Sequence, residues 1–251
     1  MSFSTHWPIQ WFDEIDSTNE EAKRRASRRS ISNQWIAARS QTAGRGRLGR
    51  DWKSPPGNLF STALIKWDRP ISEATRIPFA AALAVADTAD LLSSKDERKQ
   101  VAQLKWPNDV RVNGAKLSGI LVESGEGSSG RWIAAGIGIN VAFVPENIGQ
   151  AGTCLSELRG AGDLTVDIVL EALAERFASR VSEAIESFDC TLDNWLSRCE
   201  GLNQRIRINL DDAPIEGIFE GLGGDGALLL RLPDGELRTI RAGDVELIRE
   251  V

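Results

Sequence analysis

The pattern of apolar residues changes character near Gly201, and that change constrains the fold more than any other feature. Beyond it, five short alternating runs (205–210, 215–222, 227–232, 236–240 and 245–248) are separated by Asp211-Asp212, Gly223-Gly224-Asp225-Gly226, Pro233-Asp234-Gly235 and Ala242-Gly243-Asp244. Turn residues at such short intervals predict a small all-β unit, a barrel. Before Gly201, helix-length and strand-length patterns alternate. Ser17-Thr18-Asn19-Glu20 has capping-box form, with acids first and Lys23, Arg24, Arg25, Arg28 and Arg29 last, an order that suits the helix dipole and predicts a helix over 18–28. Further helices are expected over 73–92, 166–187 and 192–199. Strands are expected over 35–39, 59–66, 101–105 and 131–141, and a hairpin over 110–123 turns on Asn113-Gly114, which suits a type I′ turn. The reading is an α/β (α+β) chain with a catalytic-size domain over 1–200 and a small β domain over 201–251.

Composition narrows the function classes. With 41% hydrophobic and 26% charged residues in 251, the chain has the balance of a soluble globular protein. Its net charge of -6 argues against a general nucleic-acid binder, which is usually basic. Cys154, Cys190 and Cys199 show no paired spacing and read as reduced thiols of a cytoplasmic protein. No run approaches the ~18 apolar residues of a membrane span, and the first ten residues do not have the form of a signal peptide. The one histidine, His6, falls in what reads as a leading arm, so triads and zinc sites built on an internal histidine are not expected.

Four segments could carry chemistry. Between Arg39 and Lys53 the local charge is +4, around Gly44-Arg45-Gly46-Arg47-Leu48-Gly49-Arg50. Glycines let backbone N–H groups approach an anion, and arginines pair with phosphate or carboxylate oxygens. The loop alone leaves a phosphate-bearing ligand, a solvated basic loop and a nucleic-acid contact open. It is no Walker A sequence, because no Gly-Lys-Ser/Thr follows. Lys105-Trp106-Pro107-Asn108-Asp109 ends a strand with polar groups stiffened by proline. Asn108 and Asp109 could serve a nucleotide or its Mg²⁺, or simply form a turn. Lys116, at the head of Lys116-Leu117-Ser118-Gly119-Ile120-Leu121-Val122-Glu123, is either an exposed strand lysine or a fixed cation where charge develops. Gly136 and Gly138, in Gly136-Ile137-Gly138-Ile139-Asn140, mark a strand face that another backbone or a ligand approaches closely. Ser17-Thr18-Asn19 is either an ordinary N-cap or a set of donors for a carbonyl or anion.

Taken together, these segments resemble biotin protein ligases. The resemblance rests on Glu14 to Asn19, Gln41 to Arg50, Lys105 to Asp109, Lys116 to Glu123 and Gly136 to Asn140, in matching order and spacing over nearly the whole chain. Gly224-Asp225-Gly226-Ala227-Leu228 resembles part of that family's SH3-like C-terminal barrel. The resemblance implies a class II synthetase-like mixed sheet with helices mainly on one face. It implies activation of biotin by MgATP as biotinyl-5′-AMP, then transfer to a lysine of a biotin carboxyl carrier domain. Ser17, Thr18, Asn19 and Gln41 would hold the biotin ureido ring, with Gly44 and Gly119 also at the biotin site. Arg45, Gly46 and Arg47 would wrap carboxylate and phosphate, and Lys116 would neutralise charge at the reacting oxygens. Arg50, Trp52, Asn108, Asp109 and Asn140 would serve the nucleotide, Asp109 also Mg²⁺, while Gly136 and Gly138 would leave room for the ring. Relatives often pair through sheet edges, so a homodimer is plausible. Some relatives carry an N-terminal DNA-binding helix-turn-helix; here 13 residues precede Glu14, and the expectation is a minimal ligase without DNA binding. Leu48 stands where many relatives have arginine. Lipoate ligase, nucleic-acid module and non-catalytic biotin sensor are the alternatives.

Overall fold

The computed structural model describes residues 7–28, 31–93, 101–128, 130–146, 149–159, 164–210 and 213–248. His6, Arg29 and the Asp211-Asp212 spacer lie outside them.

The elements follow in order. They are strand β1 (Ile9–Ile15), helix α1 (Thr18–Ala26), β2 (Gln34–Gln41), β3 (Leu59–Trp67), α2 (Ile77–Ser93), β4 (Ala102–Lys105), β5 (Asp109–Val112), β6 (Ala115–Gly127), β7 (Gly130–Ile139), α3 (Leu155–Arg159), α4 (Val166–Glu186), α5 (Phe188–Ser197), β8 (Arg205–Asn209), β9 (Ile215–Leu222), β10 (Leu228–Arg231), β11 (Leu237–Ile240) and β12 (Asp244–Leu247). A seven-stranded sheet has the order β1-β2-β3-β7-β6-β5-β4. β1 runs parallel to β2 and every other neighbour is antiparallel, the mixed sheet expected.

Three elements differ from the expectation. Neither β1 nor α3 was foreseen. The helix expected over 73–92 begins as a 3-10 turn, Ile71–Arg76, and becomes α-helical at Ile77. Pro78 is tolerated there because first-turn N–H groups have no partner within the helix. The Asn113-Gly114 turn is as expected: both residues have positive φ, 50° and 76°, as type I′ requires.

Side chains alternate across a strand, and that alternation builds the site. On β7, Ile133, Ala135, Ile137 and Ile139 join the core cluster that also holds buried residues of α2, α4 and α5. The intervening Ala134 packs with Ala22 and Ala26 of α1, Ile36 and Leu64 in a separate cluster. Gly136 and Gly138 continue along this second face. In register beside them on β6 are Leu121, opposite Gly136, and Gly119, opposite Gly138. The large helices therefore cover one face, while α1 covers only one end of the other and leaves glycines along the rest.

The C-terminal strands form an antiparallel sheet in the order β11-β10-β9-β8-β12. Among the described residues no pairing joins β11 to β12, so the five strands expected there form an open sheet rather than a closed barrel. Ile206, Ile208, Phe219, Leu228 and Leu230 belong to the same hydrophobic cluster as α2 and β4. Trp106 donates its indole N–H to the Gly226 carbonyl at 3.3 Å. A Cβ on Gly226 would lie 2.4 Å from the Phe79 ring, so only a glycine permits this approach. The two sheets share one core.

Candidate active site

A cavity of about 950 Å³ opens over the glycine face. Its walls are the N-terminus of α1, the 42–58 loop, the ends of β4, β5 and β6, and β12 of the C-terminal sheet. Every site residue singled out from the sequence lines it except Gly44. Gly44 is buried behind the wall, where a Cβ would lie 2.4 Å from both Ser54 Oγ and the Trp52 carbonyl oxygen. It is required by internal packing.

Helix α1 supplies the first wall. Ser17 caps it in extended conformation, accepting from the Glu20 N–H. The Thr18 N–H donates to Gln41 Oε1 at 2.8 Å, and Gln41 Nε2 donates to Ser54 Oγ at 2.9 Å. The Asn19 amide is held at both ends. Thr62 Oγ1, on β3 beneath, lies 2.6 Å from Asn19 Oδ1 and 2.8 Å from Thr18 Oγ1. Asn19 Nδ2 donates to Glu123 and to the Leu121 carbonyl. Buried polar groups left unpaired are costly, so this network fixes where Thr18, Asn19 and Gln41 point.

The arginine loop closes on itself. The Gly46 N–H donates to the Arg50 carbonyl at 2.7 Å and the Trp52 N–H to the Gly44 carbonyl at 2.9 Å. Leu48 and Gly49 at its tip both have positive φ, 55° and 71°. The arginines have different partners. Arg45 pairs with Glu20 at 2.6 Å and Glu123 at 2.8 Å. Arg47 donates to Asn108 Oδ1 at 3.0 Å, and its burial pulls its pKa down. Arg50 reaches Asp244 of β12 at 2.9 Å.

The far wall carries Lys116, paired with Asp109 at 2.7 Å and 5.4 Å from the Trp52 ring centroid. Lys105, largely desolvated, has its pKa lowered by burial. Asn108 Nδ2 donates to the Ile120 carbonyl. The Asn140 amide donates to the Thr153 carbonyl at 3.1 Å and sits 3.4 Å from that of Lys116, which places it behind the lysine. Trp52 lies flat against the bare sheet face: a Cβ on Gly138 or Gly119 would come 2.5 Å or 2.8 Å from its indole. The space above Gly136 is taken by Asn19, whose Oδ1 a Cβ there would approach to 2.2 Å. Trp52 Nε1 is buried without a hydrogen-bond partner, on the edge of the indole that lies against Gly138.

The cationic lining fits a nucleotide triphosphate. Among the described residues no group of three or more His, Cys, Asp or Glu side chains could hold an ion, and Asp109 is engaged by Lys116. A magnesium ion would have to be held chiefly by the nucleotide's own phosphates. Sequence reasoning missed Ser54, Thr62 and Asp244. Thr62 could be sought as the buried polar residue of an otherwise apolar strand, while Asp244 carries no local signal.

A cavity lined by seven cationic side chains (Arg45, Arg47, Arg50, Lys53, Lys105, Arg111 and Lys116), over a glycine-bared mixed sheet with a small antiparallel sheet at its mouth, has the charge and fold of a ligase that acts on anionic substrates. Comparison with known proteins agrees. Residues 11–140 match the biotin/lipoate A/B protein ligase family, and 201–248 match the biotin protein ligase C-terminal domain. The chain is 36% identical to a biotin–[acetyl-CoA-carboxylase] ligase of Paracoccus denitrificans, over 92% of this chain and 96% of that one. It is 32% identical to the bifunctional ligase/repressor BirA of Escherichia coli, over 93% of this chain and 72% of that one. A biotin protein ligase from Aquifex aeolicus in complex with biotin and ATP superposes with a TM-score of 0.78 at 28% identity, covering 97% of this chain and 99% of that one. The chain belongs to the biotin/lipoate A/B protein ligase family. Among the described residues, no helix is long and apolar enough to cross a membrane.

Proposed function

We propose that this chain is a biotin–[biotin carboxyl carrier protein] ligase that activates biotin with ATP and transfers it to a carrier lysine. The observation that carries this reading is the convergence of Arg47, Arg50, Lys105 and Lys116 on one cavity with the polar network of Thr18, Asn19 and Gln41 at its other end. A carboxylate and a triphosphate repel each other, and fixed cations remove that barrier where charge develops.

In the first step the biotin carboxylate attacks the α-phosphorus of ATP, forming biotinyl-5′-AMP and releasing pyrophosphate. Ser17, Thr18, Gln41 and the Asn19 network orient the ureido ring. Arg47 and the Gly46 backbone face the carboxylate and α-phosphate, Lys116 stabilises charge at the reacting oxygens, and Arg50 meets the outer phosphates. Trp52 stacks near the adenine, with Asn108 and Asp109 on the nucleotide side; Asp109 also sets the position of Lys116. Magnesium, where bound, neutralises phosphate charge. In the second step the carrier's lysine amine attacks the carbonyl carbon of the mixed anhydride and AMP leaves. Residues 1–200 are assigned to this chemistry, and Asp244 to Leu247 of the C-terminal domain (201–251) line the mouth of the cavity.

The test is pyrophosphate release from MgATP with biotin, with lipoate, or with neither, before any carrier is added. Biotin-dependent release is expected. Release with lipoate alone would move the substrate while keeping the chemistry. No release with either, despite biotin binding, would leave a sensor.

A further inference from the structure

The Lys116–Glu123 segment ends in a carboxylate to which the reaction above gives no task. Glu123 sits on β6 with its side chain 24% exposed, on the face shared with Gly119 and Leu121. Its oxygens receive three donors from two parts of the chain, helix α1 and the arginine loop. Lys23 of α1 lies at 2.7 Å from Oε1, while Asn19 Nδ2 at 2.9 Å and Arg45 Nη2 at 2.8 Å meet on Oε2. Burial raises the pKa of such a group, yet the Lys23 and Asn19 hydrogen bonds and the Arg45 charge outweigh it and hold the carboxyl below the ordinary glutamate value. Two of these donors belong to segments that face the substrates. Asn19 is the centre of the polar network, and Arg45 opens the arginine loop beside it. Arg45 is also held by Glu20 at 2.6 Å, so two carboxylates engage its guanidinium.

We infer that Glu123 is a positioning residue that ties the stem of the arginine loop, through Arg45, to the Asn19 network, so that the loop closes about a fixed point set by the ring-binding end of the cavity. This rests on the ligase reading for its kinetic consequence, but the mechanical link does not depend on it. Arg45 is then the anchored end of the loop, and Arg47 and Arg50 are the cations left for the nucleotide. Because both donors share one oxygen, loss of the charge slackens loop and network together, and an intermediate held between them escapes sooner.

The variants are Glu123→Gln, Arg45→Gln and the double substitution. In the ligand-free protein, Glu123→Gln should speed hydrogen exchange at the Gly46 and Trp52 amides that close the loop, with amides of α2 and β9 unchanged. With biotin and ATP, KM for biotin and the rate of biotinyl-adenylate release should each rise at least about fivefold, the scale of a weakened charge-assisted hydrogen bond, while kcat stays within about twofold. The double variant should be no worse than the poorer single one, because the two residues act as a unit. Unchanged loop exchange in Glu123→Gln, or single effects that add, would overturn the assignment. If Glu123→Gln does not fold, Arg45→Gln carries the same exchange test. If the wild type releases no pyrophosphate with biotin, the ligase reading fails, and the exchange experiment still decides the anchor.

Discussion

Asp244, the first residue of the last strand, holds Arg50 at 2.9 Å and stands 3.9 Å from Arg47, across 194 residues of sequence. A carboxylate from the C-terminal sheet thus occupies the two arginines proposed to receive the phosphates. Asp244→Asn removes a charge that repels the nucleotide and competes for its cations. Exposed ion pairs are worth about 0.2–1 kcal/mol, so KM for ATP should fall by up to about fivefold. Steady-state kinetics at low and high salt would check this, and a rise in KM would mean that the acid helps by holding the loop in place.

Lys116→Ala should cut adenylate formation far more than biotin affinity. Its ammonium sits beside Asp109 at 2.7 Å, and in the proposed mechanism it faces the charge that develops during attack. Loss of one such stabilising group typically costs about 10²–10³ in rate. Pyrophosphate release set against biotin calorimetry separates the two quantities, and unchanged adenylation would remove Lys116 from the mechanism.

Thr62→Val keeps the shape of the side chain but deletes the hydroxyl 2.6 Å from Asn19 Oδ1 and 2.8 Å from Thr18 Oγ1. An unsatisfied buried acceptor costs about 1–3 kcal/mol. Denaturant unfolding should show that loss, and biotin affinity should drop with it because Asn19 can then rotate. A variant as stable as wild type with normal biotin affinity would show that the network is not needed.

Gly138→Ala places a methyl 2.5 Å from the Trp52 indole. A rigid ring on one side and a central strand on the other cannot yield cheaply, so stability should fall by about 1–3 kcal/mol. Calorimetry should also show weaker ATP binding, because the indole is pushed off the sheet.

Asp16 gives a pH prediction. Arg24 hydrogen-bonds its carboxyl and holds its pKa at about 2, against an ordinary 3.8. A carboxyl with a lowered folded-state pKa contributes stability that is complete above its unfolded value and lost as pH falls through the folded one. The side chains are partly exposed, so the contribution is about 0.5 kcal/mol after screening. The stability difference between wild type and Asp16→Asn should be constant above about pH 4 and shrink toward pH 2, as measured by urea unfolding across that range.

Much of this architecture was legible because local chemistry dictates it. The N-cap at Ser17, the turn at Asn113-Gly114 and the strand glycines each state a backbone requirement within a few residues. β1 was not legible. It is an edge strand with mostly exposed or half-exposed side chains, so it lacks the alternation that marks a half-buried strand. The site was legible as a set of residues but not as a set of contacts. Sequence spacing puts Arg45 among the substrate-facing arginines, yet in space it turns to Glu20 and Glu123. It also suggests that Gly136 and Gly138 serve the same ligand, whereas one accommodates Asn19 and the other Trp52. Asp244 was invisible because its partners are brought to it only by the packing of one sheet against another.

That packing bears on how the chain could be shortened. The change of texture at Gly201 invites a cut there, yet Trp106 and Phe79 on one side rest against Gly226 on the other. Removing the tail would strip an indole and a phenyl ring of their cover and leave Arg47 and Arg50 without Asp244. The boundary that is plainest in the sequence is a poor place for a protease, a linker or a stop codon.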